Sequence, residues 1–374
     1  MLQWIYPTIF VFIKGDLSKM PGNSKKIICA MSGGVDSAVA ATLLKEEGYD
    51  VVGVMMTLWS DPCTENLCCT SESMDLAKSA ADILSIPFHV IDVKDFFYDK
   101  VVKYFIESYK NGETPNPCIA CNRHVRWNSL FKFADQIGAE FVGSGHYARI
   151  RKTKSGSFQL LRGVDEGKDQ SYVLYRLTQE QLSRTVFPIG RYLKSEVRTI
   201  AKKYDLPMAE RSDSQDLCFV GKEGYRDFLM RYSAGAAKSG HIKSTQGEIL
   251  GEHQGLAFYT IGQRKGLGIS ASKPVYVLSK SVEDNTIIVG TKDELGRDEL
   301  TAKDVNWVSG SIPEKPFKAE AKIRYKTSDV PGIVSLLDKS RLHIKFDKSL
   351  PDITPGQSVV IYQDEVCIGG GIIL

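Results

Sequence analysis

Three short stretches of the 374-residue chain combine residue types that do chemistry. Ser32-Gly33-Gly34-Val35-Asp36-Ser37 brings glycines, hydroxyls and a carboxylate together. Cys118 and Cys121 stand in a C-x-x-C spacing, and Cys218 lies between apolar neighbours. Glycines at a strand-to-helix turn expose backbone N–H groups at a helix N-terminus, which is an anion site. Ser32 and Ser37 add hydroxyl donors, and Asp36 is placed to hold Mg²⁺ beside a pyrophosphate. The stretch lacks both G-x-x-x-x-G-K-[ST] and G-x-G-x-x-G, which excludes a Walker loop and a dinucleotide fingerprint. The plainer alternative is that Ser32 and Asp36 merely cap the helix. A C-x-x-C pair by itself reads as a redox pair, a metal half-site or coincidence.

The elements around these residues form an α/β pattern. Ile27–Ala30 reads as a buried parallel strand, 38–47 as a helix ending before Gly48, and Val51–Leu58 as a second strand. A helix over 72–84, a strand Phe88–Asp92 and a helix over 95–110 follow. Two prolines in Gly112–Arg123 forbid a helix until about Cys118. They place Cys118 and Cys121 in a rigid loop ahead of a helix Val125–Gln136, where the local positive potential lowers a thiol pKa. Phe141–Ser144 is another strand running into Gly145-His146. Ligands gather beyond the C-terminal ends of parallel strands, so Gly145 and His146 face the crevice of the first loop. Residues 149–163 read as a hairpin turning at Lys154–Ser157, Lys168–Tyr172 opens a helix, and 178–204 is helical around Pro188-Ile189-Gly190. From about 228 short alternating runs dominate, with a break near 300 and a final small barrel or sandwich. The expected division is an N-terminal extension over 1–24, an α/β domain over 25–227, a central β-rich domain over 228–299 and a C-terminal domain over 300–374.

The net charge of +3 does not argue for nucleic acid by itself. No apolar run approaches a membrane span, and neither a membrane nor DNA is an expected partner. No basic residue precedes the short apolar stretch Trp4–Ile13, and no arginine precedes Arg123, so neither a secretory signal nor a transit peptide is indicated. Residues 1–24 are expected to be dispensable, with Met20 a second candidate start. Without a secretory signal the eight cysteines point to reactive or metal-binding roles rather than a disulfide scaffold. The adjacent Cys68-Cys69, with Cys63, read as exposed loop thiols.

The Ser32–Ser37 stretch resembles the pyrophosphate loop of the ATP pyrophosphatases, which cleave ATP between the α and β phosphates. Five further stretches make the resemblance specific: Asn116–Asn122, Asp213–Phe219, Gly145–Tyr147, Gly167–Gln170 and Tyr259–Gly266. Together and in this order they resemble the bacterial tRNA 2-thiouridylase (tRNA-uridine 2-sulfurtransferase) family, over roughly residues 25–374. The resemblance implies an adenylating pyrophosphate-loop domain, a small central domain and a C-terminal β-barrel that helps hold tRNA. It implies 2-thiolation of the wobble uridine of tRNA in the cytoplasm, with ATP and Mg²⁺. ATP would be bound by Ala30, Met31, Ser32, Gly33, Gly34, Val35, Asp36, Ser37, Met56 and Gly145. Asn116, Pro117 and Cys118 would surround the target base. His146, Lys168, Asp169, Gln170, Arg324, Tyr325 and Gln357 would touch tRNA. Cys121 matches the catalytic cysteine and Cys218 the persulfide carrier, the two ending as a transient disulfide. A sulfur-relay protein, ultimately a cysteine desulfurase, would supply the sulfur.

One position departs from the family pattern: many members carry aspartate where this chain has Cys118. Three thiols, Cys118, Cys121 and Cys218, are then available to hold a [4Fe–4S] cluster with one open iron, or Zn²⁺. The blander reading is that Cys118 only lines the loop. Rival functions are an amide-forming ligase on the same loop, which needs neither Cys121 nor Cys218, and an RNA-binding module without turnover. The basic clusters Arg149–Lys154 and Arg264-Lys265 suit phosphate contacts or ordinary solvated surface.

Overall fold

The computed structural model describes residues 24–59, 61, 70–212, 217–221, 223–233, 235–270 and 273–374. The extension before Ser24, the thiols Cys63, Cys68 and Cys69, and Asp213–Asp216 of the Cys218 motif lie outside the described residues.

The first unit is a parallel sheet built from β1 (Lys26–Ala30), β2 (Asp50–Thr57), β3 (Phe88–Asp92), β4 (Phe141–Ser144) and a two-residue β7 (Thr185–Val186). Its order is β3-β2-β1-β4-β7. Successive side chains point to opposite faces, so both faces of this apolar sheet need cover. Ile27, Cys29 and Val51 face α1 (Val35–Glu46), α2 (Ser71–Ile83) and the helix Lys194–Lys203. Ile28, Val52 and Val142 face Trp127, Leu130 and Ala134 on the other side. The alanines of α1 allow it to lie buried against the sheet, and the chain leaves the helix through Gly48 at φ +86°. From β1 the chain winds outward to β3 and then returns to β4 on the opposite side. The topological switch therefore falls between β1 and β4, whose C-terminal ends carry Met31–Val35 and Gly145-His146.

Three expectations need correction. The helix expected from Val125 begins instead at Pro117, with Asn116 as its N-cap; it continues through a π-helical turn Cys121–Arg126 into Trp127–Gln136. Proline is tolerated at a first helical position because that N–H needs no partner. Cys118 and Cys121 thus sit in helix, not loop. The stretch 178–204 is broken by β7, which pairs with β4. The hairpin of β5 (Ala148–Lys152) and β6 (Phe158–Arg162) forms as expected, but its outer edge pairs with the C-terminal domain.

The central sheet has β8 (Gly240–Ser244), β9 (Ile249–His253), β10 (Tyr276–Ser281) and β11 (Thr286–Gly290), in order β10-β11-β8-β9. Its Ile242, Val277, Ile287 and Val289 share one apolar cluster with Phe97, Phe105 and Cys121 of the first unit. The last unit comprises β12 (Arg297–Trp307), β13 (Phe317–Lys322), β14 (Val330–Leu336), β15 (Leu342–Leu350), β16 (Ser358–Gln363) and β17 (Val366–Ile373). Pairing of β12 with both β15 and β17 closes these six strands into a barrel. β12 runs across the break expected near residue 300. β17 also pairs with β6, through Val366↔Leu161 and Cys367↔Leu160. Arg149 and Arg151 of the hairpin both bind Glu365, at 2.7 and 2.8 Å, so part of that basic cluster is a structural tie rather than free surface.

Candidate active site

The loop after β1 is shaped by two glycines. Gly33 takes φ +75°, and a Cβ there would stand 2.2 Å from the Ser73 carbonyl oxygen. Gly34 is the N-cap of α1, and no side chain caps that helix. The capping alternative for Ser32 and Asp36 is therefore not what the structure holds, and the first amides of α1 keep their donor capacity. Ser37 Oγ donates to the Gly34 carbonyl (2.9 Å) and accepts from the Ser32 amide (3.1 Å), which pins the loop to the helix's first turn. Met56 lies half-buried near the end of β2.

Asp36 does not stand open. Lys194 Nζ donates to its two carboxylate oxygens at 2.7 and 2.8 Å, and Tyr147 OH donates at 2.8 Å. Arg211 reaches the Gly33 carbonyl at 3.2 Å. Lys194 and Arg211 thus place two cations beside the loop. Sequence reasoning missed both, because they arrive from 160 residues or so downstream without a motif of their own. Asp36 is the carboxylate that would hold a Mg²⁺ beside phosphates here, and such an ion would neutralise phosphate charge.

Gly145 packs on α1 itself: a Cβ would lie 2.7 Å from Asp36 carbonyl atoms and the Ser37 amide. The next residue, His146, is buried, with Ser144 Oγ 2.6 Å from Nδ1 and Arg126 3.1 Å from Nε2. Burial, with the Arg126 charge second, pushes His146 down to about 3, so its ring is neutral. Arg126 belongs to the π-helical turn that begins at Cys121. A continuous path of contacts therefore runs from the glycine loop through Gly145, His146 and Arg126 to the thiols.

Cys118, Cys121 and Cys218 are not joined in disulfides. Cys121 is buried and Cys218 half-buried in the same apolar cluster. Burial pushes the Cys121 thiol up to about 12, against the lowering charge of Arg126, and the neighbouring Cys218 and Cys118 raise it further. The expected lowering by the helix N-terminus is overturned: the cost of an ion in this apolar setting outweighs the local potential. Cys118 is raised by the same causes, but its side chain opens to the solvent, and water relieves much of that penalty. Among the described residues no three His, Cys, Asp or Glu side chains are grouped to hold a metal ion.

Several residues expected at the tRNA turn out to be tied inward. Asp169 is buried, accepting from Gly163 N, Ser171 N and Ser171 Oγ at 2.9, 3.1 and 2.8 Å. Gln170 Oε1 accepts from Tyr147 N at 3.0 Å. His146 is buried as well, and Gln170 is half-buried, so all three side chains help to shape the site. Lys168 is half-buried beside them. Tyr325 packs on Tyr172 (ring centroids 6.0 Å apart), near enough to Cys118 to feel its charge. Arg324 bridges the Ile261 carbonyl (3.1 Å) of the central unit and Thr354 of the barrel. Gln357 donates to the carbonyls of Thr114 (2.9 Å) and Pro115 (3.2 Å), just ahead of Asn116, whose Oδ1 accepts from Ile119 N (3.3 Å).

A parallel-sheet domain with a glycine loop at its switch point, followed by two β units, defines a HUP-domain nucleotide-handling class. Residues 25–222 match the family described as tRNA methyl transferase HUP domain, 226–291 the tRNA methyl transferase PRC-barrel domain and 297–373 the Aminomethyltransferase beta-barrel domain. The chain is 45% identical over 354 residues to the tRNA-specific 2-thiouridylase MnmA of Clostridioides difficile (strain 630), covering 94% of this chain and 98% of the relative. It is 46% identical over 350 residues to that of Moorella thermoacetica, covering 92% and 98%. The chain belongs to the tRNA-specific 2-thiouridylase family. Among solved structures, the U34-tRNA thiolase NcsA from Methanococcus maripaludis with its [4Fe-4S] cluster aligns at TM-score 0.35 and 18% identity, over 57% of this chain and 68% of that one. A 4-thiouridine synthetase–RNA complex with bound ATP aligns at 0.35 and 19%, over 52% and 44%. Likenesses this distant carry no argument about chemistry.

Proposed function

We propose that this protein replaces O2 of the wobble uridine of tRNA with sulfur, in an ATP-dependent reaction. The observation that carries the reading is the contiguity of the uncapped α1 loop with Cys121 through Gly145, His146 and Arg126. An adenylating centre and a sulfur centre must share one substrate atom, and the contacts that link loop to thiol support such sharing. The tRNA substrate comes from the relatives, which are named as tRNA-specific 2-thiouridylases.

In this reading the loop amides, Ser32, Lys194 and Arg211 hold the ATP phosphates. The uracil C2 oxygen attacks the α-phosphorus and pyrophosphate leaves. Charge developing on the phosphates is met by donors already in place. The terminal sulfur of a persulfide on Cys218 then attacks C2, and AMP leaves. Cys121 attacks the inner sulfur of Cys218 and its proton passes to the uracil N3, so that the transferred sulfur stays on the base. The resulting Cys121–Cys218 disulfide takes two electrons from an external thiol. Sulfur reaches Cys218 from a persulfide-carrying relay protein or a cysteine desulfurase. Neutral His146 keeps Arg126 directed at the thiols. The target base leaves its stack to enter, which costs little in a single-stranded anticodon loop. Among the described residues no helix is long and apolar enough to cross a membrane, and the reading places the work on tRNA in the cytoplasm.

The test separates the two halves of the reaction. Pyrophosphate release should depend on tRNA and persist in Cys121→Ser, while sulfur transfer is lost. Release that ignores tRNA, or sulfur transfer that survives in Cys121→Ser, would overturn the reading.

A further inference from the structure

The helix that carries Cys121 is gripped by the barrel at two places. Ahead of it, Gln357 holds the Thr114 and Pro115 carbonyls, and a Cβ on Gly356 would lie 3.0 Å from the Thr114 backbone. Beyond it, Arg123 of the π-helical turn donates through both terminal nitrogens to the Asp304 carboxylate on β12, one of the two bonds at 3.3 Å. Asp304 also binds Arg176 at 3.1 Å, a guanidinium that is only 4% exposed and donates to Tyr175 OH at 2.9 Å.

The backbone at Asp304 is unusual. It takes φ +52°, in the irregular stretch of β12 between Lys303 and Asn306. A left-handed non-glycine residue is tolerated most easily when it is Asn or Asp. Bulges in strands re-aim a side chain, and this one directs the carboxylate out of the barrel at two guanidinium groups of the first unit. The structure it holds is itself irregular: a π-helical turn is rare and occurs mostly as a single turn within an α-helix, frequently at functional sites.

We propose that Asp304, acting through Arg123, is a positioning residue that holds the Cys121 turn, so that the barrel sets the geometry of the thiol. That Cys121 is the reacting thiol rests on the proposed function; the clamp does not. Loss of the clamp releases the turn locally while the barrel stays closed.

The experiment is peptide-level mass spectrometry of iodoacetamide labelling in the full chain, without ATP or tRNA, so its outcome is independent of the proposed reaction. Asp304→Asn keeps a residue that accepts positive φ and removes the charge. Cys367 on β17, which pairs with β12, reports on the barrel itself. Cys121 labelling should rise about fivefold or more, a modest factor because both partners of the pair are over a third exposed. Cys367 should be unchanged, and Arg123→Gln should reproduce the rise. Cys121 labelling within twofold of wild type overturns the proposal, as does a parallel rise at Cys367, or no rise in Arg123→Gln. If Asp304→Asn does not fold, Arg123→Gln carries the test with the same outcomes.

Discussion

Adding one methyl group at Gly145 should damage the nucleotide site more than its size suggests. An alanine Cβ at that position would stand 2.7 Å from the Asp36 carbonyl and the Ser37 amide, all backbone atoms of α1. Ordinary contact begins near 3.4 Å, so β4 and α1 must part by about 0.7 Å. No side chain can turn aside to absorb this. Overpacking of this kind costs about 1–3 kcal/mol, and displacing a reacting group by about 1 Å costs on the order of 10²-fold in rate. Gly145→Ala should therefore fold, melt several degrees lower, and release pyrophosphate roughly 10- to 100-fold more slowly. Gly34→Ala is the comparison, because its Cβ would meet only Ser32 Oγ at 3.5 Å; its melting temperature should stay near wild type. Scanning calorimetry and a pyrophosphate assay read both quantities. Wild-type stability and turnover in Gly145→Ala would refute the reasoning, as would an equal loss of stability in Gly34→Ala.

Burial holds the Cys121 thiol at about 12, so its alkylation should still be climbing at about pH 10, where an ordinary thiol near 8.5 has levelled; a plateau by about pH 9 contradicts this. His146 is held at about 3 when folded, against about 6.5 in the unfolded chain. Its contribution is thus fully present above about pH 6.5 and is lost as pH falls toward 3, by at most about 1.4 kcal/mol per pH unit. Denaturation midpoints of His146→Gln should accordingly fall less steeply with acid than those of wild type, and equal slopes would count against it. Lys194 is 12% exposed and Asp36 31% exposed, so Lys194→Met should cost about 1–3 kcal/mol by stranding the carboxylate. Adding Asp36→Asn should recover part of that loss, whereas simple additivity would show that the two do not act as a pair.

The β1–loop–α1 unit was legible because its signals are local: an apolar strand, two glycines and an alanine-rich helix in one short run. The switch-point placement of Gly145 and His146 followed from strand order alone. What stayed hidden depends on distant partners. Pro117 reads as a helix breaker until its N–H is recognised as one that needs no acceptor. Nothing local in the sequence shows what Asp169, Gln170 and His146 bond to. Only the fold reveals Gly163, Tyr147 and Arg126 as their partners. The hairpin was visible, but its pairing with β17 joins residues some 200 positions apart. Local potential suggested a lowered Cys121 thiol, and the apolar cluster contributed by the central sheet reverses it. Lys194, Arg211 and Asp304 carry no sequence signal, since each matters only through what it meets.

The most direct test is mass spectrometry of nucleosides from tRNA incubated with the protein, ATP, Mg²⁺ and a cysteine desulfurase with cysteine as the persulfide source. Wild type should convert a uridine to its 2-thio form, and Cys121→Ser should not. AMP release without any thiolated nucleoside would contradict the account and favour a ligase acting on the same loop.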